Sequence, residues 1–306
     1  MATTTLNDGI RRRIIETATR YKSGAFSTPS PVAGVRILYA ETPHPRTPVL
    51  YEPSIVIVAQ GAKVGHVGGK TFRYDAQNYL LLTVPLPFEC QTIASKQEPF
   101  VGVSIDIDTA VLQELLIELE DERLERPASL DAAGVNSAAF TEDVLCAIER
   151  LFDAMHRPRD AKVLGKLILK EIIYHVLCGE SGAALQALAN RHTHFAQVTK
   201  ALQHIESNFA KPLSVEQLAG LVNMSVSAFH HNFKAVTNTS PLQYVKSYKL
   251  HKARLIMLNE GVKAGVAATR VGYESPSQFS REFKRYFGAT PVDEVARLRA
   301  FSPSVS

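Results

Sequence analysis

The sequence predicts an α+β protein: a β-rich N-terminal half with a helical hairpin, then an all-α half with two helix-turn-helix units joined by a long helix. Three observations predict this fold. Short strand-like segments alternate with glycine and proline before residue 107, and apolar residues then switch to helical spacing. The last third repeats itself at an offset of 50 residues.

Length and composition limit the class of protein. A chain of 306 residues is long enough for two domains, and 45% hydrophobic residues are typical of a soluble globular protein. No run approaches the roughly 18 apolar residues of a membrane helix, and residues 1–20 lack the pattern of a secretory signal. The three cysteines Cys90, Cys146 and Cys178 are too few and too scattered for a disulfide framework or a zinc site. We therefore expect a cytoplasmic, reducing location.

The N-terminal half begins with an arm and continues as strands. Residues 1–30 are expected to be irregular or helical and to end in a loop at 27–31. A hairpin should turn at Gly68 and Gly69, because paired glycines suit a two-residue turn. The predicted strands span residues 35–40, 54–59, 64–74 (the hairpin), 79–84, 88–93 and 101–107. Such short strands favour a small sandwich or barrel.

Helices follow the strands. Asp108 is a candidate cap for a helix running through Leu119, and residues 142–155 and 162–177 predict an antiparallel helical hairpin. This hairpin either covers the barrel or forms a dimer surface, and the sequence leaves both interpretations open. Residues 179–189 lose the helical pattern, which predicts a linker to about residue 194. The predicted domains are 1–185 and 195–302.

The repeat defines the C-terminal half. Its paired positions are identical or close substitutes. The pairs are Leu218/Ala268, Leu221/Val271, Ser225/Ser275, Ser227/Ser277, Phe229/Phe279, Phe233/Phe283, Lys234/Lys284, Ser240/Thr290, Pro241/Pro291 and Val245/Val295, with no gap. One supersecondary unit used twice is the simplest interpretation.

Capping signals divide this half into helices. A first helix spans 195–209, and Ser214 with Gln217 forms a capping-box pattern at the start of the next. The helix-turn-helix units are predicted at about 215–237 and 264–287, with a joining helix at about 241–259 that ends at Gly261. The second helix of each unit should bury apolar residues on its inner face: Val226, Phe229, Phe233 and Val236 in the first, and Phe279, Phe283 and Phe287 in the second.

The outer faces of these two helices are polar. In a helix-turn-helix the second helix enters the major groove of DNA, so the start of its outer face is the candidate for base contacts. The candidate base-contacting residues are Ser227, His230, His231, Ser277, Ser280 and Arg281, and the candidate phosphate-contacting residues are Lys234, Lys284 and Arg285. Arg281 is the strongest candidate because a guanidinium can bind O6 and N7 of guanine together.

Charge agrees with this interpretation. Residues 195–302 carry 14 Lys+Arg against 7 Asp+Glu, whereas the rest of the chain carries 20 against 23. A basic module on a mildly acidic body is typical of a protein in which one part meets phosphates. The alternative, a chance fluctuation of surface charge, loses weight because the repeat lies in the same segment.

The run 271–285 followed by 288–291 resembles the AraC/XylS family of bacterial transcription regulators. The N-terminal segments 51–54, 60–63 and 79–81 resemble the sensor domain of one branch of that family. The resemblance implies a cupin-like barrel that binds a small-molecule effector or mediates dimerisation, with double-stranded DNA as the partner of the C-terminal half. A homodimer is expected, and RNA polymerase is a further candidate partner. The effector-binding residues, the operator and the direction of regulation stay open.

The chain departs from the family pattern in two places. His231 stands where relatives often carry arginine, and Glu294-Val295 replaces the usual Tyr-Arg pair, which puts a familiar phosphate contact in doubt. His230 and His231 are either base-contacting residues or solvated polar side chains.

Other functions would depend on a few particular residues. Cys90 is either a packed strand cysteine or a redox or electrophile sensor. His44 and His66 lack the close His-x-His spacing and later Glu of a metal cupin, and His192 and His194 fall in the predicted linker, so no metal or cofactor is expected. An enzyme would need a nucleophile–base pair or metal ligands within the barrel, and the sequence offers no candidate, so no catalytic residue is assigned.

Overall fold

The computed structural model describes residue 6 and residues 8–67, 69–119, 134–189 and 193–301. Within these residues, two antiparallel sheets form the N-terminal half and helices build the rest, which confirms the predicted fold class. In spatial order, the six-stranded sheet contains β1 (Ser27–Pro29), β2 (Val35–Ala40), β9 (Phe100–Asp106), β4 (Ser54–Gln60), β7 (Asn78–Leu82) and β10 (Val135–Ala139). The four-stranded sheet contains β3 (His44–Tyr51), β8 (Leu86–Ile93), β5 (Ala62–Val67) and β6 (Lys70–Tyr74).

The strand predictions are mostly confirmed. The hairpin is present, because Val67 pairs with Lys70 across the predicted turn; Gly68 lies outside the described residues. The prediction of a loop at 27–31 is wrong in part, since β1 pairs with β2. The sequence did not predict β3 and β10. Both are edge strands, and β3 carries Pro45 and Pro48, which an edge strand tolerates but which weaken a sequence signal for a strand.

Helices cover one face of the six-stranded sheet. They are α1 (Asp8–Tyr21), α2 (Thr109–Glu118), α3 (Glu142–Met155), α4 (Pro158–Val163), α5 (Gly165–Cys178) and α6 (Gly182–Ala189). The N-terminal arm is a helix whose Ile10 and Ile14 enter the core. Asp108 caps α2, as predicted. The linker prediction at 179–189 is wrong, because α6 fills most of it and buries Leu185; His192 lies outside the described residues.

Strand β4 is buried on both faces, and this is why its sequence is a continuous apolar run. Ile55 and Ile57 face the helices, whereas Val56 and Val58 face the second sheet. A strand buried on both faces loses the alternation of polar and apolar residues. The helical hairpin α3–α5 therefore covers the sheet through residues such as Leu151 and Ile172.

Seven helices form the described part of the C-terminal half. They are α7 (His194–Asn208), α8 (Val215–Leu221), α9 (Val226–Thr237), α10 (Pro241–Glu260), α11 (Ala264–Arg270), α12 (Pro276–Phe287) and α13 (Pro291–Phe301). Over all the ranges given above, no helix is both long and apolar enough to cross a bilayer.

The prediction of a gap-free repeat is wrong at one point. Helices α8 and α11 begin 49 residues apart, whereas α9 and α12 begin 50 apart. The second turn is one residue longer: the left-handed Asn223 lies two residues before its cap Ser225, and the left-handed Gly272 lies three before Ser275. Ala219, not Leu218, is thus the structural equivalent of Ala268.

Candidate nucleic-acid interface

Helix α9 is the second helix of the first helix-turn-helix unit and its candidate DNA-reading helix, and it begins at a serine cap. Ser225 Oγ accepts a hydrogen bond from the backbone N–H of Ala228 at 3.2 Å. Phe229 and Phe233 are fully buried on the inner face. Val226, predicted to face inward, is 40% exposed, because it lies in the first turn before the helix meets the core.

The reading helix of the second unit, α12, repeats this design. Ser275 caps it by accepting from Gln278 N–H at 3.3 Å, and Phe279, Phe283 and Phe287 form the predicted buried face. Gly272 fixes the preceding turn: its φ is +79°, and a Cβ there would lie 2.0 Å from the carbonyl oxygen of Ala210. Only glycine fits this position without moving the backbone.

The nine predicted DNA-contacting side chains all lie off the buried core. His230 is half-buried, and the others are exposed: Ser227, His231, Lys234, Ser277, Ser280, Arg281, Lys284 and Arg285. Within the described part of the chain, none of the nine side chains takes part in a hydrogen bond or salt bridge. Their donors are therefore available to an outside partner.

The acidic residue on α12 is turned away from this face. Glu282 accepts from Tyr273 OH at 2.9 Å and pairs with Lys246 of α10 at 3.0 Å. Burial acts to raise the pKa of Glu282, but Lys246 and its other hydrogen-bond donors outweigh burial, so that pKa is lowered. The carboxylate stays ionised and paired, and the outer face of α12 keeps its positive charge.

Glu294, the departure from the family pattern, has an interior role. Its carboxylate is fully buried and accepts from Arg254 of α10 at 3.1 Å, while Arg297 approaches its other oxygen at 2.7 Å. Arg254 also donates to the carbonyl oxygen of Pro48 on β3 at 3.2 Å. A buried carboxylate cannot contact a DNA phosphate. Through Arg254, Glu294 instead connects α13 to α10 and to the N-terminal half.

The first unit and the N-terminal sheets share one apolar core. Phe229, Phe233 and Tyr244 belong to the same buried cluster as Leu86 and Phe88 of β8. The phenol of Tyr244 donates to the carbonyl oxygen of Pro85 at 2.9 Å. The backbone N–H of Gly134 donates to the carbonyl oxygen of Val236, also at 2.9 Å. The sequence, which predicted separate domains, did not indicate this joint.

A polar cluster inside the sheets was not predicted from the sequence either. Lys63 of β5 is only 4% exposed, and its Nζ donates to Tyr51 OH at 2.6 Å. Burial acts to lower the pKa of Lys63, but the Tyr51 phenol and the Cys90 thiol outweigh it, so that pKa is raised. A lysine in an alternating strand is ordinarily assigned to solvent, which is why no sequence signal marks this one as buried.

The histidines considered as metal ligands are dispersed. His66 Nδ1 lies 3.1 Å from Thr71 Oγ1 on the neighbouring strand, and the ring of His44 packs edge-on against Phe26. Among the described residues, no group of three or more His, Cys, Asp and Glu side chains is arranged to hold a metal ion.

Two helix-turn-helix units beside a double-sheet domain define the class of protein as a DNA-binding transcription regulator. Residues 31–184 match the family model described as the AraC-type transcriptional regulator N-terminus, and residues 218–296 match a helix-turn-helix domain. The chain belongs to the family of AraC-type transcriptional regulators.

The sequence identity to individual relatives is low and covers only part of each protein. The chain is 36% identical over 90 residues to the RCS-specific HTH-type transcriptional activator RclR of Escherichia coli, covering 29% of this chain and 32% of that protein. It is 25% identical over 204 residues to the probable thc operon regulatory protein of Rhodococcus erythropolis, covering 65% and 53%. The matched segments thus span between about a third and a half of these relatives.

Solved structures support the overall fold. ToxT from Vibrio cholerae superposes with a TM-score of 0.60 at 11% identity, covering 86% of this chain and 97% of that one. ToxT bound to an unsaturated fatty acid gives a TM-score of 0.59 at 10% identity, covering 89% and 96%. The similarity extends through both halves of the chain.

Proposed function

We propose that this protein is a sequence-specific transcription regulator of the bacterial cytoplasm, which reads DNA with α9 and α12 and responds to a small molecule held by its N-terminal half. The observation that carries the proposal is the pair of serine-capped helices whose polar faces are exposed and unpaired. Neutral and cationic donors on two such faces match the acceptors of base edges and phosphates. We assign no catalytic activity.

The proposed contacts divide by chemistry. Ser227, His230 and His231 read one element, and Ser277, Ser280 and Arg281 read the other. The cations Lys234, Lys284 and Arg285 lie in the last turns of their helices, where they would bind phosphates and set the register.

Dimerisation is assigned to the N-terminal half. Leu164 and Tyr174 of the α4–α5 segment and Ile117 of α2 are exposed, and Val163 and Leu167 are 60% and 63% exposed. Leu167 and Tyr174 lie on the outer face of α5, opposite the face that buries Ile172 in the core. A second copy of this surface is the occupant we propose, and it would place two reading modules on one operator.

The shared core is the route that we propose for effector control. A ligand-induced change inside the sheets would reach α9 through β8, because both contribute to one buried cluster. The ligand-bound fold relatives include ToxT with an unsaturated fatty acid, so an apolar carboxylic acid is the first ligand class to test by thermal shift.

Selection of bound sites from random DNA tests the DNA-reading proposal. The full chain should recover two short elements about 10 base pairs apart per protomer, one helical turn between adjacent major-groove faces. Recovery of no enriched sequence, at salt where the protein still binds DNA, would contradict sequence-specific reading.

A further inference from the structure

A lysine and a cysteine meet inside the N-terminal sheets. Lys63 on β5 is 4% exposed and Cys90 on β8 is 5% exposed. The two strands pair with Lys63 opposite Thr92 and Gly65 opposite Cys90. Lys63 and Cys90 are thus diagonal neighbours on the inward face, within reach of a long side chain, and both side chains contact the Tyr51 phenol.

The surroundings of this pair are phenolic and aromatic. Tyr51 OH lies 2.6 Å from Lys63 Nζ and 3.7 Å from Cys90 Sγ, and Tyr74 OH lies 3.4 Å from the same sulfur. The rings of Phe26 and Phe100 lie 4.5 and 5.6 Å from Nζ. No carboxylate among the described residues pairs with Lys63. A buried ammonium is costly unless polar groups compensate it. Tyr51 OH accepts its hydrogen bond, and the Cys90 sulfur lies on the other side of that phenol.

We propose that Lys63 and Cys90 form an oxidant-responsive pair, in which hydrogen peroxide oxidises the Cys90 sulfur and the sulfur then bonds covalently to Lys63 Nζ. Positive charge beside a sulfur is what makes a thiol selectively reactive. A sulfenic acid condenses with a neighbouring nucleophile when one is in reach. Peroxide is small and uncharged and can enter an apolar interior.

Two steps complete the reaction. The sulfur of Cys90 attacks one peroxide oxygen, the O–O bond breaks, and the thiol proton leaves with the other oxygen as water. Lys63 Nζ first loses one proton to solvent, and its freed lone pair then attacks the sulfenic sulfur as the S–O bond breaks. The departing hydroxide takes a second proton from Nζ and leaves as water. Peroxide is reduced by two electrons, and the pair is oxidised by two. The product is a neutral sulfur–nitrogen link between β5 and β8.

The link would reach the DNA-reading half. It removes the ammonium from Tyr51, the last residue of β3. The same strand holds the Pro48 carbonyl oxygen that accepts from Arg254 of α10. Oxidation therefore changes one end of a strand whose other contacts hold the joining helix. This consequence for DNA binding rests on the proposed function, whereas the chemistry of the pair does not.

The test uses the full chain with Cys146→Ala and Cys178→Ala, because both of those thiols are exposed and would react separately. After treatment with hydrogen peroxide, peptide mapping by mass spectrometry should find the Lys63 and Cys90 peptides joined with the loss of two hydrogen atoms, and dithiothreitol should release them. In Lys63→Met and Lys63→Arg variants the joined species should be absent, and in Lys63→Met Cys90 should react about tenfold more slowly.

Unmodified Cys90, or Cys90 oxidised to sulfinic acid without any link to Lys63 in the parent chain, would overturn the proposal. Because the link is sought in the parent chain, a variant that folds poorly does not change the outcome. Fluorescence anisotropy on selected DNA is measured separately. A linked protein with unchanged DNA affinity would overturn the regulatory consequence alone, and an untreated protein without DNA affinity would count against the proposed function.

Discussion

The two helix-turn-helix units differ in whether their apolar core includes residues of the N-terminal sheets. The first unit shares a buried cluster with β8 and its neighbours, so Phe233 and Phe88 belong to one core. The second unit has a cluster of its own, built from C-terminal residues such as Phe283 and Met257. Near this cluster the joining helix α10 contacts the N-terminal half through Arg254, which donates to the carbonyl oxygen of Pro48. The first unit thus shares its apolar core with the N-terminal half, whereas the second unit has a separate core and connects to that half through α10.

This difference assigns roles to the two units. A ligand-induced change in the sheets would act on the first unit directly. The second unit would follow through α10, whose ends are fixed by the Ser240 cap and the left-handed Gly261. Regions with separate apolar cores can open separately, so the second unit is the one expected to loosen alone.

Removing a buried phenylalanine ring from either core should have the largest effect on the free energy of unfolding. Phe233→Ala and Phe283→Ala should each cost about 3–5 kcal/mol of unfolding free energy, because both rings are fully buried. Hydrogen exchange followed by mass spectrometry should show loss of protection in both α9 and β8 for Phe233→Ala. For Phe283→Ala the loss should stay within residues 250–295. Equal loss of protection in β8 for both variants would remove the distinction between the units.

The next effect concerns association. Leu167→Glu should weaken dimerisation, since the charge would replace an apolar side chain that the proposed interface buries, which forfeits about 1.5–3 kcal/mol per side chain. Light scattering across a dilution series measures the dissociation constant. The matched control is Val292→Glu on α13, also an exposed apolar residue at 68%, which should leave association unchanged. If Val292→Glu is the variant that dissociates the dimer, the interface lies on the second unit instead.

DNA reading provides a third comparison. Arg281→Ala should relax base preference in one element only, by about 1–3 kcal/mol, because a guanidinium pairs with one guanine. Lys284→Ala, one turn further along α12, should weaken all sites alike and reduce the salt slope by about one. Site selection and binding at several salt concentrations separate the two. A uniform loss for Arg281→Ala would assign it to phosphate.

A weaker effect is a pH dependence of stability that arises where the first unit packs against the sheets. Burial, followed by the charge of Glu52, raises the pKa of Glu206 from 4.5 to about 7, although Lys252 opposes this. Tyr244 and Tyr248 face the same carboxyl. The folded state therefore binds more protons than the unfolded state between these values, and stability falls as pH rises from about 4.5 to about 7.

Replacing this carboxyl tests the sign. Glu206→Gln should flatten the decline and stabilise the protein at pH 8 by about 1–2 kcal/mol, because solvent screens part of the charge of this only partly buried carboxylate. Thermal unfolding at pH 5 and pH 8 measures this. The control Glu52→Gln should give a smaller change, since Glu52 is exposed. An equally large fall in stability with rising pH in Glu206→Gln would show that Glu206 does not cause it.

Local signals account for the successful C-terminal predictions. The reciprocal Ser214–Gln217 capping box and the left-handed Gly261 lie where the sequence predicted a helix start and a helix end, because caps depend on a few adjacent residues. The extra residue in the second turn leaves little trace in the sequence, since a one-residue insertion barely disturbs the pairing of small apolar side chains such as Ala268.

Long-range contacts account for what the sequence could not predict. The buried positions of Lys63 and Glu294 depend on partners on other elements of the fold, Tyr51 and Arg254 respectively. Strand β3 carries two prolines and forms because it pairs with β8 at a sheet edge. The shared core of the first unit likewise joins segments more than a hundred residues apart. Local pattern and propensity carry no information about such distant partners.

Sequence-specific DNA reading is tested most simply by titrating the full chain, at physiological salt, against a duplex recovered by selection and a scrambled duplex of equal length. We expect the selected duplex to bind at least about a thousandfold more tightly, and Arg281→Ala to narrow the gap. Equal affinity for both duplexes would contradict sequence-specific reading by the exposed faces of α9 and α12.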